Sequence, residues 1–422
     1  MSAKRKILWF AASAQFSDEK IKSTGTWLIA MGNAITETTD IELYNVTYGN
    51  VKSITQKNAN NVTQWLIPYK EKRNYKKASK KLISFVKKIN NEIKPDLIHV
   101  WGTENGLVSA LTEAKIQIPI LLEIQGLLFS IARNYYGGLS YNDLLRCIGL
   151  KEILRPKNHP YFVRKEFANR GRYETLLIQQ MENISVQSDW VDSIIKSLSP
   201  KSNIFKAGIM LRSEFYEAPI WEYQKNSQTI NIFTSCSAAI PYKGLQVIFD
   251  AIALLKNKYP NIRLNIGGGI QIKKKYGFIR EGYTSWLLRK AKKLGIADSI
   301  SWLGKLNANE MIGEMHKSSL VVVPSFVETY CLFMAESMMV GVPIVASFAG
   351  ALPQLAEHGK SALYFPTGDH WSCAQQIERI ITDQELVKKM SVEARNTAFQ
   401  RNDQTKVLQN QLDIYNEIIG AL

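Results

Sequence analysis

Glu328 and Glu336 stand eight residues apart in the stretch Val322-Val323-Pro324-Ser325-Phe326-Val327-Glu328-Thr329-Tyr330-Cys331-Leu332-Phe333-Met334-Ala335-Glu336. The apolar run Leu320 to Val323 reads as a strand that enters a turn, and a helix is expected from about Tyr330. The first carboxylate then sits on the loop at a strand's C-terminal end. The second lies about two helical turns further on, along an element whose free amides face the same crevice. Carboxylates accept hydrogen bonds from sugar hydroxyls, and helix N-termini hold phosphate. The pair therefore suits a ligand that carries both groups.

Other residues at strand ends carry weaker signals. Lys243, in Pro241-Tyr242-Lys243-Gly244, reads either as an ordinary turn residue or as a cation placed for an anion. Gly267-Gly268-Gly269 after Ile266 imitates a phosphate loop but fits a tight turn better. His99 lies within an apolar run, the usual setting of a core histidine. Glu104 follows a strand end, where it either points into a cleft or stands on the surface. Gly25-Thr26-Trp27 opens a helix, and its amides are placed either to touch substrate or simply to start that helix. Cys147, Cys236, Cys331 and Cys373 are too scattered for a zinc site or a disulfide framework.

Two sets of elements must position these residues. Short apolar runs alternate with helical patterns, which predicts parallel sheets flanked by helices. In the first half the expected strands are 7–10, 41–46, 97–101, 120–124 and 184–186. Helices are expected over 26–35, the basic stretch 70–94 and 107–114. An irregular aromatic and polar region, 133–172, interrupts the rhythm, and Pro156 and Pro160 exclude a single long helix there. After a polar linker at 213–228 the alternation restarts, with strands at 230–234, 263–266, 300–302, 320–323, 344–346 and 363–365. A closing helix is expected over 404–419. The reading is two doubly wound α/β domains, 1–215 and 228–402, with 403–422 as a C-terminal helix packing back toward the first domain. Strand C-termini would face a central cleft, where ligands of such sheets bind, and hinge motion would close it.

The block from Ile300 to Asp369 contains the Glu-x7-Glu segment, Gly341-Val342-Pro343-Ile344-Val345-Ala346 and Gly359-Lys360-Ser361-Ala362-Leu363. With Pro241-Tyr242-Lys243-Gly244 upstream, it closely resembles the retaining glycosyltransferases of family 4, which have the GT-B fold. The resemblance covers about residues 228–400. It is thinner in the first half, where it rests on Ser23-Thr24-Gly25-Thr26-Trp27 and Pro95-Asp96-Leu97-Ile98-His99-Val100-Trp101-Gly102-Thr103-Glu104. It implies that Glu336 binds the ribose of a nucleotide, that Glu328 contacts the donor sugar near the reacting carbon, and that Lys243 neutralises the diphosphate. Ser237, Gly244 and the amides of Tyr330, Cys331 and Leu332 would complete the donor site. Gly25, Thr26, Trp27, Glu104 and Gln125 would line the acceptor side. No metal and no cofactor beyond the nucleotide-sugar co-substrate is implied.

The chain departs from the family pattern in three places. Ser237-Ala238 stands where members commonly carry Gly-Arg, so one diphosphate cation is absent or comes from elsewhere, with Arg212 as a candidate. Thr329 and Cys331 replace the usual glycines, which would leave the backbone less open to the donor. Gln125 replaces a histidine and cannot act as an acid or base. The expected activity is transfer of a sugar from a nucleotide-diphosphate donor to a glycan or lipid-linked glycan in cell-surface polysaccharide synthesis. The alternative is a catalytically impaired nucleotide-sugar-binding or scaffold protein. A dinucleotide-dependent oxidoreductase is disfavoured, because no strand-linked Gly-x-Gly-x-x-Gly with a following acidic residue occurs.

Length and charge set the outer bounds. The 422 residues suit two domains, and 45% apolar residues is a globular composition. The net charge of +16 fits nucleic acid, an anionic membrane, phosphorylated ligands or a plain basic surface. No nucleic-acid module is present to support the first. Much of the excess lies in stretch 70–94, which reads as an amphipathic helix that packs on its own domain and adds peripheral membrane contact. The Lys4-Arg5-Lys6 start before a short apolar run reads as a first strand rather than a leader. A cytoplasmic protein, peripheral at the inner face of the membrane, is expected.

Overall fold

The computed structural model describes residues 4–12, 14, 16, 25–69, 75–104, 106–223, 229–270, 272 and 281–420, save the side chain of Thr26. Ser23, Thr24, residues 70–74 of the basic stretch and residues 224–228 of the expected linker lie outside the described residues. The chain divides into two compact units. The first comprises Met1–Phe129, Asn169–Arg212 and Asn402–Leu422, and the second Ser130–Ala168 and Ser213–Arg401. Residues 130–168 thus group with the second unit, although the sequence reading kept them in the first.

Among the described residues the first unit holds eight strands: β1 (Lys6–Ala11), β2 (Glu42–Gly49), β3 (Thr55–Ala59), β4 (Val62–Pro68), β5 (Leu97–Trp101), β6 (Ile120–Glu123), β7 (Asn183–Val186) and β8 (Asn203–Lys206). Their order is β3-β4-β2-β1-β5-β6-β7-β8. All neighbours are parallel except β3 with β4. The β3–β4 hairpin and β8 were not expected. The hairpin turns on Asn60 and Asn61, with φ of 51° and 58°, the left-handed pair that a two-residue turn between twisted strands demands.

The two faces of this sheet differ in chemistry. Leu8, Phe10, Val46, Ile98, Val100 and Leu122 point to one side and form the apolar core. The helix Lys80–Ile93 buries Leu82, Val86, Ile89 and Ile93 in that core. Its apolar stripe, which the basic stretch presented at helical spacing, is therefore spent on packing. Ser79 caps it by accepting the Leu82 amide at 3.1 Å. On the other face the register aligns Gln64 with Asn45, Asn45 with Trp9, Trp9 with His99, and Trp101 with Glu123. This buried polar and aromatic layer is met by the C-terminal helix Gln404–Gly420. Its Tyr415 hydroxyl accepts the Trp9 indole N–H at 3.0 Å and lies 2.8 Å from His99 Nδ1.

The second unit holds β9 (Ile230–Ser235), β10 (Ile262–Gly267), β11 (Ile300–Gly304), β12 (Leu320–Val323), β13 (Ile344–Ser347) and β14 (Leu363–Phe365). They are all parallel, in the order β11-β10-β9-β12-β13-β14. Residues 133–172 are largely helical, in short pieces, and the later breaks fall at proline. The helix Leu150–Leu154 is followed by a 3-10 turn at Pro156–Asn158, and Pro160 heads the helix Pro160–Ile178, where its missing N–H costs nothing.

Candidate active site

In the second sheet the strand order reverses between β9 and β12. The loops leaving two such strands diverge, and a crevice opens at their carboxyl ends. Lys243 lies on the loop after β9 and Glu328 on the loop after β12. The reversal therefore joins two side chains that are far apart in sequence. Lys243 Nζ donates to Glu328 Oε1 at 2.6 Å, with side-chain exposures of only 21% and 14%.

Backbone contacts hold this pair in place. Gly244 has φ +77°, and a Cβ there would fall 2.0 Å from the Pro324 carbonyl oxygen. Only glycine lets the two loops touch at this point. The Phe326 N–H donates to the Tyr242 carbonyl at 2.8 Å. A third loop, after β13, supports Glu328 itself: the Ala351 N–H donates to its carbonyl at 2.9 Å. Gly350, at φ +54°, would place a Cβ 2.3 Å from that same oxygen. The Ser325 hydroxyl donates to Glu328 Oε1 at 2.7 Å, and the Ser347 hydroxyl donates to the Ser325 carbonyl. Burial opposes the Lys243 ammonium, but the charge and hydrogen bond of Glu328, together with Tyr242 and Cys331, hold the amine above the usual lysine value. The site thus carries a fixed positive charge beside a fixed carboxylate. Such a pair can stabilise a departing anion and orient a hydroxylated ring.

The helix after β12 starts later than expected, at Leu332 rather than Tyr330. Cys331 is its N-cap, in a left-handed conformation with φ +89°. This is the left-handed geometry that favours glycine, adopted here by a cysteine whose thiol burial keeps protonated. The Leu332 amide heads the helix. Tyr330 precedes it, buried, with its hydroxyl accepting from Arg401 Nε at 3.3 Å. Glu336 sits in the helix's second turn and is 5% exposed. Ser237 is exposed just past β9. Gly268, at φ +125°, backs onto Cys236, where a Cβ would lie 1.6 Å from its carbonyl oxygen. The three glycines there form a close-packed turn. Among the described residues no group of three or more His, Cys, Asp or Glu side chains is placed to hold a metal ion.

The first sheet has its own reversal, between β1 and β5, and the residues expected on the acceptor side gather around it. Gly25, after β1, has φ +99° and caps the helix Thr26–Thr38 through its backbone alone. Trp27 is buried with its ring edge-on to Trp101 at 5.2 Å. The Glu104 carboxylate lies over the backbones of Gly102 and Gly126, where Cβ atoms would fall 2.1 and 2.8 Å from its oxygens. Gln125 Oε1 is 3.3 Å from the same point above Gly102. His99 is a fully buried core residue, held neutral by burial and bonded to Tyr415.

Sequence reasoning missed the supports of both sites. Ser325, Gly350 and Ala351 hold Glu328, and only the Pro-Ser after β12 hinted at them. In the first unit Glu174 accepts the Leu128 amide at 2.7 Å and the Thr103 hydroxyl. Burial, helped by Glu104, pushes its carboxyl up to about 8. A carboxylate in mid-helix carries no sequence signal of this kind.

Two doubly wound α/β units, one sheet parallel except for its β3–β4 edge and the other wholly parallel, have the GT-B fold. Residues 220–397, within the second unit, match the family "Glycosyl transferases group 1". Among curated relatives, N-acetyl-alpha-D-glucosaminyl L-malate synthase of Bacillus anthracis is 28% identical over 32% of this chain and 34% of its own. D-inositol 3-phosphate glycosyltransferase of Corynebacterium jeikeium is 27% identical over 34% of this chain. The match thus spans about a third of the length of these two relatives. The uncharacterized glycosyltransferase YqgM of Bacillus subtilis is 23% identical over 64% of this chain and 68% of its own. Sucrose-phosphate synthase from Thermosynechococcus elongatus shares the fold with a TM-score of 0.74 over 99% of this chain and 100% of its own, at 14% identity. Anabaena Alr3699/HepE in complex with UDP-glucose does so with a TM-score of 0.66 over 99% and 100%, at 16% identity.

Proposed function

We propose that this protein is a metal-independent, retaining glycosyltransferase that moves a sugar from a nucleotide-diphosphate sugar to a hydroxyl of a glycan or lipid-linked glycan, in cell-surface polysaccharide synthesis. The observation that carries the reading is the Lys243–Glu328 contact of 2.6 Å at the switch point of the sheet. A fixed ammonium there offsets the charge that collects on a departing diphosphate, so the residues at hand supply the electrostatics without a metal. When the donor enters, its phosphates take the ammonium and release Glu328 to the sugar. Glu336 takes the ribose hydroxyls, and the helix headed by Leu332 adds its dipole. Sugar transfer on one face follows, with the leaving phosphate oxygen accepting the proton of the incoming hydroxyl as the glycosidic bond forms. Gln125 serves only as a hydrogen-bonding group in this scheme.

A uridine diphosphate sugar is the first donor to try, since a protein of the same fold was solved with UDP-glucose. The test is a thermal-shift screen against UDP, GDP, ADP and their sugars, followed by donor turnover with a panel of glycan acceptors. Binding to the folded state raises the melting temperature. A shift with one nucleotide and turnover of its sugar are expected. No shift with any of them overturns the reading. Binding without transfer or hydrolysis selects the scaffold alternative, which the Ala238 and Gln125 departures favour.

A further inference from the structure

Eight of the fifteen large apolar side chains that stand exposed among the described residues fall between Tyr141 and Phe162. They are ordered by helical spacing. Tyr141 and Leu145 lie one turn apart on the helix Tyr141–Arg146, and Leu150, Ile153 and Leu154 share one face of the helix Leu150–Leu154. Ile153 and Leu154 are 66% and 63% exposed. The other faces are tied down. Leu144 is buried, Glu152 accepts the Gly282 amide at 3.0 Å, and Lys151 pairs with Glu281 at 2.7 Å. The segment is thus held to the helix Gly282–Lys293 of its own unit with the apolar side turned outward. Six Lys and Arg stand against two Asp and Glu over residues 141–165, and Arg146, Arg155, Lys157 and Lys165 are exposed among the apolar residues.

Exposed apolar residues in such density mark an interaction surface. Their mixture with aromatic and cationic side chains matches the headgroup region of a bilayer, where apolar parts sink and cations stay with lipid phosphate. A second copy of this chain fits less well, because a two-fold contact would set the same excess of positive charge against itself. We propose that residues 141–165 dock this protein on the surface of an anionic lipid bilayer, as an in-plane contact of the short helices and the start of the helix Pro160–Ile178. This contact is independent of the sugar-transfer reading. It also lies elsewhere than the basic helix Lys80–Ile93, whose apolar face is already buried.

The test is co-sedimentation of the full chain with vesicles of phosphatidylcholine, with and without about a third phosphatidylglycerol. Binding is expected to the anionic vesicles and to fall as salt rises. Ile153→Ser with Leu154→Ser should lower the bound-to-free ratio by about tenfold or more. Arg155→Ser with Lys157→Ser should lower it by about tenfold. Both variants should keep the wild-type melting transition. Three results overturn the proposal: no vesicle binding by the wild type, undiminished binding by both variants, or loss confined to a variant lacking Lys80, Lys81, Lys87 and Lys88. A dimer that the Ile153→Ser, Leu154→Ser variant converts to monomer, with no vesicle binding, overturns it in favour of self-association.

Discussion

Replacing Lys243 by Met, Glu328 by Gln, and both together separates the ion pair's role in stability from its role in ligand binding. At 2.6 Å and an effective dielectric constant of about 20, the gross attraction is about 6 kcal/mol. Desolvation of both groups cancels much of it, so the net value of the pair is small, but breaking one side leaves the other charge stranded. Lys243→Met leaves the Glu328 carboxylate with the Ser325 hydroxyl at 2.7 Å as its short side-chain contact. The expected cost is about 3 kcal/mol, the lower end for a buried pair, since both groups keep some exposure. For a unit of about 230 residues that is a fall in Tm of roughly 6–12 °C. The double variant should recover about 2 kcal/mol of the loss, which a double-mutant cycle by thermal or denaturant unfolding reads directly. Binding should follow a different pattern. Lys243→Met should weaken nucleoside diphosphate affinity by about 10- to 100-fold, the value of a charged hydrogen bond. Glu328→Gln should leave that affinity intact or raised, because its partner no longer competes with phosphate, while turnover collapses. Titration calorimetry with the nucleotide that gives the thermal shift is the assay. If Lys243→Met destabilises the protein yet binds that nucleotide within about twofold of wild type, the ammonium serves the ion pair alone and the diphosphate assignment fails.

Glu336→Ala should reduce nucleotide affinity by about tenfold or more while binding of inorganic pyrophosphate is retained; equal losses for both ligands would remove the ribose role. Gly244→Ala forces a Cβ against the Pro324 carbonyl at a φ of +77° and should cost about 3 kcal/mol or more in unfolding measurements, with turnover falling as the loops after β9 and β12 separate. The pH dependence of stability has a definite sign. Burial pushes the Glu123 carboxyl up to about 8, against the lowering effect of the Gln187 amide, and Glu174 behaves likewise. The folded chain then holds protons that the unfolded chain releases, so stability should fall as pH rises from about 5 to about 8. Glu123→Gln should flatten part of that fall in a Tm-versus-pH series, and an unchanged slope would show that Glu123 is ionised in the fold.

The residues of the second site were legible because their local rules agree. An all-apolar strand such as Leu320–Val323 can only be interior, Pro324 ends it, and Glu328 and Lys243 follow strand ends where a parallel sheet collects its ligands. Cys331 shows where local rules mislead. The cysteine implied only a backbone less open to the donor, yet as the helix N-cap it takes φ +89°, a conformation that L side chains rarely adopt. The membership of residues 130–168 was misread for a related reason: sequence order suggested the first domain, whereas Glu152 and Lys151 bind Gly282 and Glu281.

Periodicity, punctuation by Gly and Pro, and the types of Lys243, Glu328 and Glu336 were the chain's own contribution, since each depends on neighbours within a few residues. Which of those residues meet was decided by strand order. The reversal between β9 and β12 brings an ammonium and a carboxylate from distant segments to 2.6 Å, and no local rule encodes that distance. The same holds for the polar face of the first sheet. Five of the sheet's strands were expected from short apolar runs, but only the docking of the C-terminal helix supplies the Tyr415 hydroxyl that Trp9 and His99 require. Contacts between segments far apart in sequence are set by how whole elements bury their faces, and that is a property of the assembled fold.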